Sequence, residues 1–388
     1  MFVRHLDQIL LKHFQEYREI MVLLGARQTG KTTILKRLFP MAQYLLVDNE
    51  PVRQALETYD INVYKQILNR QKESYVVIDE IQLLSNPGRC AKIIFDELPK
   101  LKLIITGSSS LHIKNKTGES LAGRKRDYYL YPLTFSEYLV QNEIEPKLNF
   151  CTSQLEKDLT SETPTHLFNL KKILEDVLLY GLFPQMVNYP QDRSYLENFG
   201  ETLVFKDLME LNLIDNRRGA YNLLKLLAYQ TGNLINYYEL AGKLGLDQRT
   251  VRRYLDIFEQ SFIIFGLYPF SQRKRDEIVK SPKIYFWDTG LRNAIIGNFD
   301  SLSLRADNGA LFENFIIAEY KKALNYQNSD YQVNYWRTKQ GAEIDLVLSR
   351  RQELIGREIK LNKRRASLSF KKRYPQAQSA LINSRNFY

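Results

Sequence analysis

The chain has 388 residues, 44% of them hydrophobic, and 55 lysines and arginines against 44 acidic residues, a formal charge of +11. That length suggests two or three domains with ordinary cores, and the basic balance fits a polyanionic partner or a merely soluble basic protein. Cys90 and Cys151 stand alone, and His5, His13, His112 and His166 fall at no ligand spacing, which argues against a disulfide framework and a zinc site.

The N-terminal apolar positions are broken by charges, unlike a secretory leader. Apolar runs such as 262–265 fall far short of the ~20 residues needed to span a bilayer. A cytoplasmic protein without a membrane partner is the expectation.

Residues 1–20 read as an amphipathic helix, and 21–24 as a buried strand. Then comes Gly25-Ala26-Arg27-Gln28-Thr29-Gly30-Lys31-Thr32, the spacing G-x-x-x-x-G-K-[ST], followed by helical spacing over 33–38. Strand, glycine-rich turn and helix are the context that a phosphate-binding loop requires. The glycines let successive amides turn inward, and the helix start adds its own free amides. Gly25, Arg27, Gln28, Thr29, Gly30, Lys31, Thr32 and Thr33 are therefore the expected nucleotide contacts. Lys31 reaches the terminal phosphates, and Thr32 helps to hold Mg²⁺.

Residues 44–47 read as a second strand, and 52–72 as one polar helix. Tyr75-Val76-Val77-Ile78-Asp79-Glu80 is an apolar strand ending in two acids. The strand suits a central parallel position, with Asp79 ordering the metal shell and Glu80 polarising the attacking water. A strand at 101–105 ends at Thr106-Gly107-Ser108-Ser109-Ser110, where Thr106 is either a γ-phosphate or water contact or part of a plain Ser/Gly loop. Arg124, after Leu121-Ala122-Gly123, is either a transition-state arginine or an ordinary surface base. The former works in cis or from a neighbouring subunit, which admits a homo-oligomer.

These stretches resemble the predicted bacterial and archaeal ATPases of the AAA+ superfamily that carry a C-terminal domain of unknown function. The resemblance continues through Tyr131-Pro132-Leu133-Thr134-Phe135-Ser136-Glu137-Tyr138, Gly181-Leu182-Phe183-Pro184 and Ser281-Pro282-Lys283-Ile284-Tyr285-Phe286-Trp287-Asp288-Thr289-Gly290-Leu291. It implies ATP as the nucleotide, a RecA-like sheet, and Arg124 as a candidate arginine finger.

Residues 136–180 turn helical, with Pro146 and the polar stretch 151–165 marking a join, and 195–213 is a further amphipathic segment. Helices at 221–230, 237–246 and 248–260, the last capped by Asp247, precede strands at 262–267 and 283–287 around a basic loop. This is the pattern of a winged helix-turn-helix. Arg249, Arg252 and Arg253 on the third helix and Arg273, Lys274 and Arg275 in the loop are the expected DNA contacts; the alternative is a protein-binding module with a solvated basic face.

In the last 80 or so residues, strands at 341–348 and 354–360 bring Asp345 toward Glu358 and Lys360, which are two apart and share a strand face. This resembles the PD-(D/E)xK nuclease core, with Glu313 as the extra helical acid, although Glu343-Ile344 replaces the proline before Asp345. A salt-bridged hairpin is the plainer reading.

The expected fold is α/β. A RecA-like P-loop ATPase core (1–140) is followed by a helical connector (141–217), a winged helix (218–295) and a nuclease-like unit (296–388). The expected activity is Mg²⁺-dependent ATP hydrolysis that rearranges a DNA-binding C-terminal half. A nucleotide-gated scaffold with a vestigial nuclease unit, or an ATP-gated nuclease, are the alternatives.

Overall fold

A computed structural model describes residues 2–68, 74–108, 121–145, 167–189, 192–210, 214–271, 281–338, 340–362 and 367–388. Its first half is built on strands β1 (Ile20–Leu24), β2 (Gln43–Leu46), β3 (Tyr75–Asp79), β4 (Lys102–Gly107) and β5 (Lys125–Tyr129). They pair in the order β2-β3-β4-β1-β5, all parallel. Every residue of β1 is buried, as a strand covered on both faces requires.

Helices α1 (Leu6–Glu16), α2 (Lys31–Leu38), α3 (Glu50–Glu57), α4 (Ile61–Ile67) and α5 (Pro87–Glu97) intersperse these strands, and α6 (Phe135–Gln141) follows β5. The single helix expected over 52–72 is two. Tyr59 takes a left-handed φ of 50°, and the Asp60 side chain accepts from Asn62 N at 2.7 Å, starting a new helix. Residues 69–73 lie outside the described residues.

The register lines up one edge of this sheet. Leu24 faces Gly107, Ile78 faces Ile105, and Leu46 faces Asp79. The phosphate loop, the acidic pair and the Thr106 loop therefore leave the sheet together at the carboxyl ends of their strands, where open α/β sheets bind ligands. Strand β4 lies between β1 and β3, so Thr106 separates the loop from the acids.

The middle of the chain is helical: α7 (Leu167–Tyr180), α8 (Pro184–Asn188), α9 (Arg193–Glu210), α10 (Arg217–Tyr229), α11 (Tyr237–Leu244) and α12 (Gln248–Gln260). The join anticipated at Pro146 and 151–165 lies outside the described residues. Strands β6 (Ile264–Pro269) and β7 (Lys283–Phe286) form an antiparallel ribbon, starting and ending near the expected 262–267 and 283–287. Helix α13 (Thr289–Ile296) then plugs the space between α7, α9 and α10, with seven of its eight residues buried. Its three polar members are satisfied: Thr289 Oγ1 donates to Val177 O at 3.1 Å, Arg292 Nε donates to Ala228 O at 2.7 Å, and Asn293 Nδ2 donates to Leu178 O and Leu179 O at 2.9 Å.

Helix α14 (Asn308–Tyr326), strands β8 (Gln332–Arg337), β9 (Glu343–Arg350) and β10 (Glu353–Ile359), helix α15 (Ser369–Arg373) and strand β11 (Gln378–Ile382) complete the chain. The second sheet has the order β11-β10-β9-β8-β6-β7. Tyr268 pairs with Asn334, and Pro269 with Tyr335, in parallel. The ribbon and the C-terminal strands thus share one sheet, which runs across the boundary drawn at residue 296. No helix among the described residues is long and apolar enough to cross a membrane.

Candidate nucleotide site

The loop after β1 is forced into shape by its glycines. A Cβ on Gly25 would stand 2.1 Å from Leu130 O, so the neighbouring strand end excludes any side chain there. Gly30 has φ 95° and precedes α2, and Gln28 holds the same left-handed region at 62°. Thr29 Oγ1 closes the loop from within on Ala26 O at 2.9 Å.

Lys31, the first residue of α2, is 5% exposed. Its ammonium donates to Gly25 O at 2.9 Å and Ala26 O at 3.0 Å, both carbonyls of the loop itself. Thr32 Oγ1 donates to Asp79 Oδ2 at 2.8 Å, and Thr106 Oγ1 donates to Asp79 Oδ1. Thr106 Oγ1 also accepts from Glu80 N at 3.3 Å. A hydroxyl on the adjacent strand therefore orients the Asp79 carboxylate and the Glu80 backbone. The Thr32 hydroxyl and the Asp79 carboxylate converge as hard oxygen donors, a set that suits Mg²⁺, which takes few protein ligands and keeps its waters.

Glu80 adopts φ 58°, turning its side chain out of the strand line toward the cleft, where it accepts from Gln82 Nε2. Gln82 in turn donates to Ser108 Oγ at 3.2 Å. Ser109 and Ser110 lie outside the described residues.

The cleft over the loop has a volume of about 520 Å³. Arg27, Gln28, Thr29, Gly30, Lys31, Thr32, Thr33 and Glu80 line it, whereas Gly25 and Thr106, also expected as nucleotide contacts, are not among its lining residues. Arg4 and Arg37 also line it, together with Pro184, Gln185 and Asn188 from α8, and none of these five had been assigned to it. The only advance signal was Gly181-Leu182-Phe183-Pro184, visible as a motif but without a role.

That motif is locked in place by a second one. Buried Asp288 accepts from Leu182 N at 2.6 Å and Leu291 N at 2.9 Å, and burial raises its pKa above the ordinary carboxylate value. Leu133 N donates to Leu182 O at 2.8 Å, tying the same turn to the first sheet. A Cβ on Gly290 would stand 2.1 Å from Tyr180 O, which is backbone and yields little. Gly290→Ala is expected to lower the unfolding free energy by about 1–3 kcal/mol; a urea titration measures it, and an unchanged midpoint would show the contact to be slack.

Arg124 is not brought to the loop within one chain. It precedes β5 where Ile20 pairs with Lys125, at the opposite end of the sheet, and Nε pairs with Asp96 Oδ1 at 3.0 Å. Arg249, Arg252 and Arg253 lie exposed on α12. Arg252 stacks over the Tyr237 ring at 4.4 Å, and Arg253 pairs with Asp215. Arg273, Lys274 and Arg275 lie outside the described residues.

The C-terminal constellation does come together electrostatically, but with lysines inside it. Lys360 Nζ donates to Asp345 Oδ2 at 2.8 Å; burial opposes that ammonium, and Asp345 outweighs it, so its pKa rises. Glu358 accepts from Ser367 N at 2.5 Å. Glu313 accepts from Tyr285 OH at 2.7 Å and from Lys283 at 3.4 Å, and Lys283 also pairs with Glu343. Burial and then Asp345 raise the Glu313 carboxyl above its ordinary value. Among the described residues no group of three or more His, Cys, Asp or Glu is placed to hold a metal. Asp345, Glu313 and Glu343 are matched to ammonium groups, while Glu358 meets the Ser367 amide.

Comparison with known proteins agrees with the first sheet's geometry. Residues 17–139 match the family described as an AAA domain. The Walker-type ATPase paby2304 of Pyrococcus abyssi has a similar fold, with a TM-score of 0.50 at 16% identity over 76% of this chain and 96% of that one. The first unit thus has the fold of a Walker-type ATPase and is similar to AAA domains over residues 17–139. Behind it, residues 171–302 and 308–386 match two domains of unknown function, DUF8612 and DUF4143. The uncharacterized protein Rv2008c of Mycobacterium tuberculosis is 28% identical over 346 residues, 88% of this chain and 70% of that protein. The uncharacterized protein MJ1637 of Methanocaldococcus jannaschii is 26% identical over 368 residues, 89% and 76% of the two chains.

Proposed function

We propose that the chain is a cytoplasmic Mg²⁺-dependent ATPase whose turnover rearranges a DNA-binding C-terminal half. The observation that carries the ATPase reading is the set Thr32, Asp79, Thr106 and Glu80, joined by hydrogen bonds at one sheet edge, with Lys31 held on the loop carbonyls of Gly25 and Ala26. Thr32 and Asp79 would hold Mg²⁺, which would supply charge neutralisation to the phosphate chain. Lys31 exchanges its two loop carbonyls for phosphate oxygens, and the amides of residues 28–32 with the start of α2 cradle the rest. Glu80 takes the proton of the attacking water.

Two features support coupling to the distal half. Helix α8 walls the cleft and is fastened through Leu182 to Asp288 at the head of α13. Three helices followed by an antiparallel ribbon, with Arg249, Arg252 and Arg253 on the exposed side of α12, suit a winged helix on a phosphate backbone.

The test is the ATPase rate with and without single-stranded, duplex and branched DNA at two salt concentrations. DNA is expected to raise the rate, with an apparent affinity that falls steeply as salt rises through counterion release. No hydrolysis with Mg²⁺ under any condition sinks the ATPase. Hydrolysis that is indifferent to every DNA form removes the DNA half and favours a protein-binding scaffold.

A further inference from the structure

Arg4 lies two residues ahead of α1, outside every motif, yet its side chain is buried at 4% exposure. Its fork points three ways. Nε pairs with Glu137 Oε2 at 2.9 Å, Nη2 donates to Tyr131 O at 2.7 Å, and Nη1 donates to Thr29 O at 2.9 Å. Burying a guanidinium is costly unless it is paired and fully hydrogen-bonded. Glu137 supplies the charge and is itself immobilised: Oε1 accepts from His5 N at 2.7 Å, and Oε2 accepts from Thr134 N at 2.9 Å. It is also the acid of the capping box that starts α6.

We infer that Arg4 is a positioning residue of the phosphate loop, holding the Thr29 carbonyl outward so that the Gly30 amide is presented to the nucleotide phosphates. This rests on the ATP-binding reading above. The peptide unit is planar and trans, so its N–H lies opposite its C=O. A Thr29 carbonyl pulled toward Arg4 sends the Gly30 N–H the other way. The loop needs such an outside hold, because Gln28, which is not a glycine, sits at positive φ. Conformations of that kind persist only where the surroundings over-determine them. The internal bond from Thr29 Oγ1 to Ala26 O fixes the side chain and leaves the carbonyl of the same residue to Arg4.

The experiment compares wild type with Arg4→Lys in the full chain. Lysine keeps the charge opposite Glu137 but lacks the planar fork that reaches two carbonyls at once. Three quantities are measured: melting temperature without nucleotide, the Kd for a non-hydrolysable ATP analogue with Mg²⁺, and the Gly30 amide signal of the nucleotide-free protein labelled with ¹⁵N-glycine. The expected result is a folded variant whose Gly30 amide has moved and whose Kd has risen on the order of 10-fold, the equivalent of one charge-assisted hydrogen bond. A purely structural tie lowers the melting temperature and leaves both the Gly30 signal and the Kd of the folded protein unchanged, which overturns the inference. Should Arg4→Lys fail to fold, Glu137→Asp carries the same test: it keeps both charges and draws the guanidinium back by one carbon. Absence of analogue binding by the wild type points instead to failure of the ATP reading.

Discussion

Lys31→Ala is expected to cut ATP turnover at least about 100-fold, the scale on which one preorganised charge donor at a reacting group is felt. The loop's geometry shows why the loss is concentrated there. The Lys31 ammonium is buried and rests on the carbonyls of Gly25 and Ala26, inside the loop proposed to receive the phosphates. An alanine leaves the fold of α2 intact, since alanine is the best helix former, but it leaves no cation at that point. Turnover is measured on protein whose melting temperature matches wild type. Wild-type-like turnover in that sample would overturn the assignment.

Glu80→Gln separates hydrolysis from binding. Glutamine keeps the length of the side chain and its place in the cleft, and it does not disturb the Thr106 bond, which goes to the backbone amide of residue 80. What it removes is a proton acceptor. Turnover is expected to fall about 10²–10⁴-fold, the usual contribution of a positioned general base, while the Kd for ATP with Mg²⁺ stays near wild type. Single-turnover kinetics beside equilibrium binding reads both. A variant that still hydrolyses ATP at the wild-type rate would move the role of base to another residue.

The parts of the site legible in the sequence are those that the chain makes locally. Two glycines five apart, a lysine and a hydroxyl at a helix start are contiguous, and an apolar strand ending in Asp79-Glu80 declares its own direction. The position of β4 between β1 and β3 was not legible, because strand order is set by long-range packing. With it went the finding that Thr106 serves the two acids directly. Arg4 reaches Thr29 and Glu137 across 25 and 133 residues, and no local pattern marks such a partner. Lys283 looks like one more base of a basic chain, yet it lies buried between Glu313 and Glu343. Arg124 was suggested by a small-residue turn and a resemblance, and neither says at which end of a parallel sheet that turn emerges. The joining of the ribbon to the last strands rests on two residue pairs in parallel, too short a seam to leave a periodic trace.

That seam sets a schedule for biosynthesis. When the ribbon leaves the ribosome, β6 has one partner, β7, and its end at Tyr268-Pro269 waits for Asn334, 66 residues behind Tyr268. At translation rates of about 5–20 residues per second, that end of the strand stays open to foreign chains for several seconds. A message truncated before β8, or an expression fragment cut there, would keep that side open permanently. Such fragments are expected to aggregate, and supplying the missing segment in trans is expected to relieve it.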